Sequence, residues 1–463
     1  MEPQIRREYV PEGEEPKSLY FPVQPNTHNL IFDPRHKRNS FLPTSYLDDI
    51  PKYGFGTTFN VGPEPGQMSE EQFKNLIIQA VRLGCRHFDC APIYRTQSLV
   101  GEALKKALCL RYVRRKQLFI TSKLPPNMMR PEHIERSIRK SLSELKLDYV
   151  DLFLLHAPFS TKHVSDDDFY PTDREGNLLL DLEDSVLENA WLKMIDLKQL
   201  GLCKYIGVSN VNLRQLMRLN SIFQVDVVQN EYHLYNQDHT LFDYCREVDV
   251  HFEAYAVFGS PEKARAENRP CVFDDRTLNS KCGKHKLTPA QILIQWVHQQ
   301  PVSYVIKTDT IEQLKENLEA ASLPPIDMND MIELDGLNQN SLVHTFEEHK
   351  GIRQHPEYPF NDEPPIEIPD DDLESSDDDF WESTRTSSNN TAPWEARRTS
   401  ASQTTAAHWE GVTTPTGNHP LWDGGTKTSS TNNIVTWDGK SNAASCDSVS
   451  GAAPPSSGNP AQQ

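Results

Sequence analysis

Eight short apolar runs recur through the middle of the chain, most of them separated by segments with helical spacing. The runs are Lys52–Gly56, Arg86–Asp89, Gln117–Thr121, Tyr149–Leu155, Lys204–Val208, Val225–Gln229, Val250–Ala256 and Ser303–Ile306. Between them, Ile134, Ile138, Leu142 and Leu145 fall on one helical face, as do Leu187, Trp191, Met194 and Leu197 ahead of a helix stop at Gly201. Thr288 followed by Pro289 is the favoured way to open a helix, a capping hydroxyl with proline just inside. Strands alternating with helices must pair in parallel, because parallel neighbours need a long crossover. Eight such units predict an α/β chain folded as a (β/α)8 TIM barrel, which typically takes about 250 residues plus insertions. The rival is a doubly wound open sheet, which would carry a GxGxxG turn after an early strand; GFGTTF at 54–59 lacks the third glycine.

The flanks have a different composition. Residues 1–45 are rich in proline, asparagine and charge and read as a poorly ordered leader; residues 46–362 hold the barrel; residues 363–463, rich in Ser, Thr, Asn, Pro, Gly and Asp, read as a disordered acidic tail. Of the net charge of −19, residues from Asn361 onward carry −11 (16 acidic, 5 basic), leaving −8 for the rest. So acidic a chain is a poor general ligand for nucleic acid, whose phosphates call for Lys and Arg. No apolar run reaches the roughly 18 residues of a membrane span, and the charged opening MEPQIRREYVPEGEEP has no signal-peptide core. The eight cysteines are scattered without a CxxC pair, which suits reduced thiols in a cytoplasmic protein and argues against a bound metal. The barrel is expected to be monomeric.

In a barrel of this kind the active site lies at the C-terminal ends of the strands. Asp89 ends the second run, Tyr94 follows in the next loop, Lys123 follows the third run and His156 the fourth. Each has an ordinary reading alone: a helix cap, a packing tyrosine, a solvated lysine, a core histidine. Four ionisable groups at successive strand ends make a chemical set. A tyrosine titrates near 10, too high for an efficient acid near neutrality. A lysine beside it stabilises the phenolate and is expected to lower that value. An aspartate holds the lysine, and a histidine can donate a hydrogen bond to a substrate carbonyl. Together they would deliver a proton while a cofactor delivers hydride.

These residues sit in segments that resemble the aldo-keto reductase superfamily, nearest its aldose/aldehyde reductase-like branch. The likeness runs in order from GCRHFDCAPIY (84–94) through LFITSKLPP (118–126), SLSELKLDYVDLFLLHAP (141–158), YIGVSN (205–210), VVQNEYH (227–233) and AYAVFGS (254–260) to the TPAQ segment leading to Lys307, and closes on HPEYPF (355–360). The resemblance implies a small-molecule carbonyl substrate, NADPH/NADP+ as cofactor, and a tetrad of Asp89, Tyr94, Lys123 and His156 with Tyr94 as general acid. It implies that Ser209, Asn210 and Gln229 hold the nicotinamide carboxamide and that Tyr255 stacks on the ring. Gly56 and Thr57 would approach the cofactor backbone, and Gly259 and Ser260 the pyrophosphate. Lys307 and Thr308 would meet the adenosine 2′-phosphate, with Glu316 and Asn317 near the adenine.

Several positions depart from the pattern. Ala157 and Thr58 stand where many relatives carry tryptophan, which implies a wider, less aromatic substrate pocket bounded by Thr58, Tyr94, His156, Ala157 and Tyr170, with Phe169 supplying some wall. Ile306 replaces a proline, and Gln313 replaces an arginine six residues beyond Lys307. Losing that cation should soften the preference for NADPH and admit NADH.

Five of the seven tryptophans lie in the tail, at 381, 394, 409, 422 and 437, spaced 13, 15, 13 and 15 apart and each followed by an acidic residue. The pattern reads either as drift in a low-complexity segment or as a multivalent set of docking motifs for a protein partner. It keeps a second function open beside the enzyme, an NADPH-binding regulatory or scaffold protein that recruits partners through its tail.

Overall fold

The protein is described by a computed structural model, which covers Leu47, residues 49–64 and residues 66–361. The chain divides into the units Met1–Ile368 and Pro369–Gln463, and all described residues belong to the first. The expectations for the leader and for the tail, with its tryptophan repeat, lie outside them.

Eight parallel strands close into a barrel in chain order: β1 (Tyr53–Gly56), β2 (His87–Asp89), β3 (Phe119–Leu124), β4 (Val150–Leu155), β5 (Cys203–Ser209), β6 (Val227–Glu231), β7 (His251–Tyr255) and β8 (Ser303–Ile306). The expected (β/α)8 barrel is thus the observed fold. Helices α1 (Glu70–Arg82), α2 (Gln97–Cys109), α3 (Pro131–Leu145), α4 (Val186–Gln199), α5 (Leu213–Ile222) and α6 (His239–Glu247) return the chain from each strand to the next. Three helices, α7 (Pro261–Ala266), α8 (Arg276–His285) and α9 (Pro289–His298), separate β7 from β8, and α10 (Ile311–Ala320) and α11 (Met328–Asp335) follow.

The helices start where local chemistry dictates. Ser69, Asn212 and Thr288 each complete a capping box with a glutamine three residues on, satisfying donors the first turn would leave orphaned. The faces expected on α3 and α4 are the buried ones, Ile134, Ile138, Leu142 and Leu145 on the first and Leu187, Trp191, Met194 and Leu197 on the second. Gly101 lets α2 and α3 touch, since a Cβ there would run into the Glu144 carbonyl oxygen.

Strand side chains alternate between the helical layer and the barrel interior. At the N-terminal end the interior is apolar, filled by Phe119, Leu152, Leu154 and Val227 with Leu47 and Ile50 beneath. Gly207 keeps β5 against its neighbours, because a Cβ would meet the Val227 carbonyl and stand 2.8 Å from Leu154. Higher up, the interior turns polar. Three boundaries run further than expected for that reason: β3 continues three residues beyond Thr121, so Lys123 lies within the strand, β5 takes in Ser209, and β6 runs on to Glu231. These polar residues extend buried strands because each finds a buried partner, Ser122 donating to Gln97 at 2.6 Å and Lys123 to Asp89.

Candidate active site

The C-terminal rim of the barrel brings the four expected residues together. Lys123 Nζ, fully buried, donates to Asp89 Oδ1 at 2.5 Å and Oδ2 at 2.7 Å, and to the Tyr94 hydroxyl at 3.0 Å. The Tyr94 hydroxyl is itself 3.4 Å from Asp89 Oδ2. Tyr94 stands on a short turn, Pro92–Tyr94, whose fixed proline geometry aims it back over β2. The His156 ring meets the Tyr94 ring edge-on at 5.6 Å, and its Nδ1 is a buried polar atom without a protein partner.

The electrostatics correct one expectation. Burial, followed by the Asp89 carboxylate, holds the Tyr94 phenol well above its ordinary value, so the net shift is upward despite the lysine beside it. Desolvation outweighs one cation that is already neutralised by Asp89. The phenol therefore stays protonated. Burial and the Lys123 charge push His156 well below the usual imidazole range, so it is neutral.

Beside the tetrad, Asn210 stands in the left-handed region at φ 60° directly after β5. Its amide donates to the His156 carbonyl at 2.7 Å and its oxygen accepts from the Tyr255 hydroxyl at 2.6 Å. Ser209 donates to the Gln229 carbonyl at 2.7 Å. Gln229 Nε2 donates to Asp89 Oδ1 at 3.0 Å and to Glu253 Oε1 at 2.6 Å. Ser209, Asn210, Gln229 and Tyr255 are thus one connected group touching the tetrad. A cavity of about 380 Å³ opens against Asn210 and Tyr255, with Asn230, Glu231 and Asn338 also in its wall. The set brings hydroxyl, amide and aromatic side chains next to a protonated phenol.

Of the remaining expected residues, Gly56, Thr57, Lys307 and Thr308 stand at the ends of β1 and β8, Glu316 and Asn317 on α10, and Gly259 and Ser260 in the loop after β7. Gly56 pairs with Asp89 in the β1–β2 ladder, and a Cβ added to it would stand 3.4 Å from the Lys307 backbone nitrogen. The Thr57 hydroxyl is spent on the Asp89 carbonyl at 2.8 Å. Lys307 Nζ lies 3.1 Å from Asp309 Oδ1 and 5.1 Å from the Phe59 ring centre. Thr308 accepts from Asn317 at 3.1 Å, and Glu316 from Thr288 at 2.6 Å. Gly259 and Ser260 both have positive φ, and Ser260 Oγ is 2.7 Å from His344 Nε2.

The residues expected on the substrate side fall in different settings. Thr58 is exposed, whereas Ala157 is buried in a cluster with Phe159, Leu178, Ile352 and Tyr358. Tyr170 and Phe346 pack against that cluster, and Tyr170 stacks on His349 at 3.9 Å. Ile352 and Tyr358, from the segment after α11, belong to that same cluster.

Sequence reasoning missed Glu253, His87, Asp309 and His344. Glu253 is fully buried inside the barrel, accepts from Ser303 at 3.0 Å and lies 3.5 Å from His87 Nδ1. Its signal was available, a lone carboxylate between Phe252 and Ala254 in a strand-like run.

With this geometry stand the comparisons. The profile described as "Aldo/keto reductase family" matches residues 52–339. The chain is 32% identical to "Prostaglandin F synthase 2" of Bos taurus over 337 residues, 72% of this chain and 99% of that protein. It is 34% identical to "Aldo-keto reductase family 1 member C3" of Homo sapiens over 320 residues, 68% and 95% respectively. Among solved structures, that of the aldose reductase from Schistosoma japonicum superposes with a TM-score of 0.59 at 32% identity, covering 68% of this chain and 96% of that one. The barrel and its rim define an oxidoreductase of the carbonyl-reducing kind. The chain belongs to the aldo/keto reductase family, whose cofactor is NADPH/NADP+.

Proposed function

We propose that the protein reduces aldehyde or ketone carbonyls to alcohols with Tyr94 as the general acid. A dinucleotide held at this rim would supply a hydride to the carbonyl carbon. Tyr94 gives its hydroxyl proton to the carbonyl oxygen, closing the balance of one hydride and one proton per alcohol formed. Lys123, hydrogen-bonded to that phenol oxygen, stabilises the phenolate left behind, and Asp89 holds the lysine there. Neutral His156 donates a hydrogen bond to the same carbonyl oxygen and orients it. Ser209, Asn210 and Gln229 would hold the nicotinamide carboxamide and Tyr255 would stack on its ring, while Thr58, Tyr94, His156, Ala157 and Tyr170 would bound the substrate side. Gly56, Thr57, Gly259 and Ser260 would follow the cofactor backbone, and Lys307, Thr308, Glu316 and Asn317 its adenosine end.

The observation that carries this reading is the Asp89–Lys123–Tyr94 triplet, in which a buried cation contacts both a carboxylate and a protonated phenol. The cysteines among the described residues are all free, which suits a cytoplasmic setting. Among the described residues no helix is long and apolar enough to cross a membrane. Exposed large apolar side chains are spread over α4, α5, α11 and the loops, which suits a monomeric barrel. The test is an assay of the full chain with NADPH against a panel of aldehydes and ketones, followed by nicotinamide absorbance. Turnover of at least one class is expected. Tight binding of NADPH with no turnover across the panel would overturn the enzyme reading in favour of a nucleotide-binding regulator.

A further inference from the structure

Lys307 is the cation that a 2′-phosphate would need, but it already has a partner. Its Nζ lies 3.1 Å from Asp309 Oδ1, so the local charge facing a phosphate dianion is close to zero. The second cation expected at this corner is absent, since position 313 is glutamine. Gln313 is also turned inward chemically, its side-chain oxygen accepting from the Asp309 backbone N–H at 3.2 Å and its backbone N–H donating to Thr310 at 3.1 Å. A backbone donor at the corner is thereby used up. The first turn of α10 adds Glu312. The nearest lysine on α10, Lys315, is two residues beyond Gln313, a spacing that places it on a different face of the helix.

A carboxylate at this corner suits a different ligand atom. Phosphate calls for Arg or Lys, whereas a ribose 2′-hydroxyl is bound by Asp or Glu, which accepts its hydrogen bond. We propose that Asp309 sets the cofactor preference, neutralising Lys307 towards the 2′-phosphate of NADPH and accepting the 2′-hydroxyl of NADH, so that the protein binds both dinucleotides. This rests on the reading of the rim as a dinucleotide site. It goes further by assigning the preference to a named carboxylate rather than to the missing cation at 313 alone.

The test is titration of the full chain with NADPH and separately with NADH, read by quenching of protein fluorescence, for the natural sequence and for Asp309→Asn. Both side chains are well exposed, Lys307 at 42% and Asp309 at 53%, so the substitution leaves the fold intact. The natural protein should bind the two within about tenfold of each other, and Asp309→Asn should move the ratio towards NADPH by about tenfold. A natural preference for NADPH beyond about a hundredfold, or a ratio unmoved by Asp309→Asn, would overturn the proposal while leaving the reductase reading standing. Failure of both dinucleotides to bind would overturn the two together.

Discussion

Gln229 donates its side-chain amide to two carboxylates at once, Asp89 at 3.0 Å and Glu253 at 2.6 Å. An amide nitrogen has two protons, so both are committed and the amide oxygen is the face left to a ligand. Glu253 thereby fixes which way Gln229 presents itself. Glu253→Gln keeps the shape but loses the charge-assisted acceptor, letting the Gln229 amide turn over. The expected result is NADPH affinity reduced about tenfold, with kcat changed much less, on the scale of about 1–3 kcal/mol for an unsatisfied buried group. Equal losses in binding and kcat would point instead to general disruption.

Lys123 and Asp89 form a buried ion pair under the tyrosine. Lys123→Met should lower kcat by about 10²–10⁴-fold, the usual range for lost acid–base assistance. It should also destabilise the fold by about 3–5 kcal/mol, because Asp89 is left as a buried unpaired charge. Adding Asp89→Asn should restore much of the stability and none of the activity, as read by urea midpoints and turnover.

His251 gives the fold a pH dependence. Burial, then the His87 and Lys52 charges, push its ring down to about 4, against 6.5 for a free imidazole. Between those values the unfolded chain binds the proton and the folded chain does not, so stability is full above about 6.5 and is lost as pH falls towards 4. The loss for this group reaches up to about 3 kcal/mol. Thermal melting of the natural protein should fall across that window, and His251→Gln should flatten the fall; an unchanged slope in the variant would exclude His251 as its source.

The α2–α3 contact depends on one missing methyl. Gly101→Ala places a Cβ against the Glu144 carbonyl, and the helices must part. Overpacking of this kind costs about 1–3 kcal/mol. The urea midpoint should drop accordingly with cofactor affinity unchanged, since the contact is on the outer layer.

The sequence made the barrel legible because each strand needs an apolar run and each crossover an amphipathic helix, and both periods are written in the residues. The tetrad was legible because Asp89, Tyr94 and His156 follow apolar runs at strand ends. Lys123 reads from the sequence as lying beyond its strand rather than within it, since polar residues look like a strand's end until their buried partners are known. Glu253 and Asp309 were missed for the same physical reason: what each does depends on a partner distant in sequence or on charge balance at a corner. The state of Tyr94 also escaped, because a lysine nearby argues one way and burial the other, and only the packed site decides which is larger.

The central claim is that Tyr94 is the proton donor, and Tyr94→Phe tests it most directly. The phenyl ring keeps the packing against His156 and removes only the hydroxyl. With a carbonyl substrate that the natural protein turns over, the variant should bind NADPH within about threefold of the natural affinity and lose kcat by about 10²–10⁴-fold. A variant that binds NADPH and still reduces the substrate at a comparable rate would contradict the account.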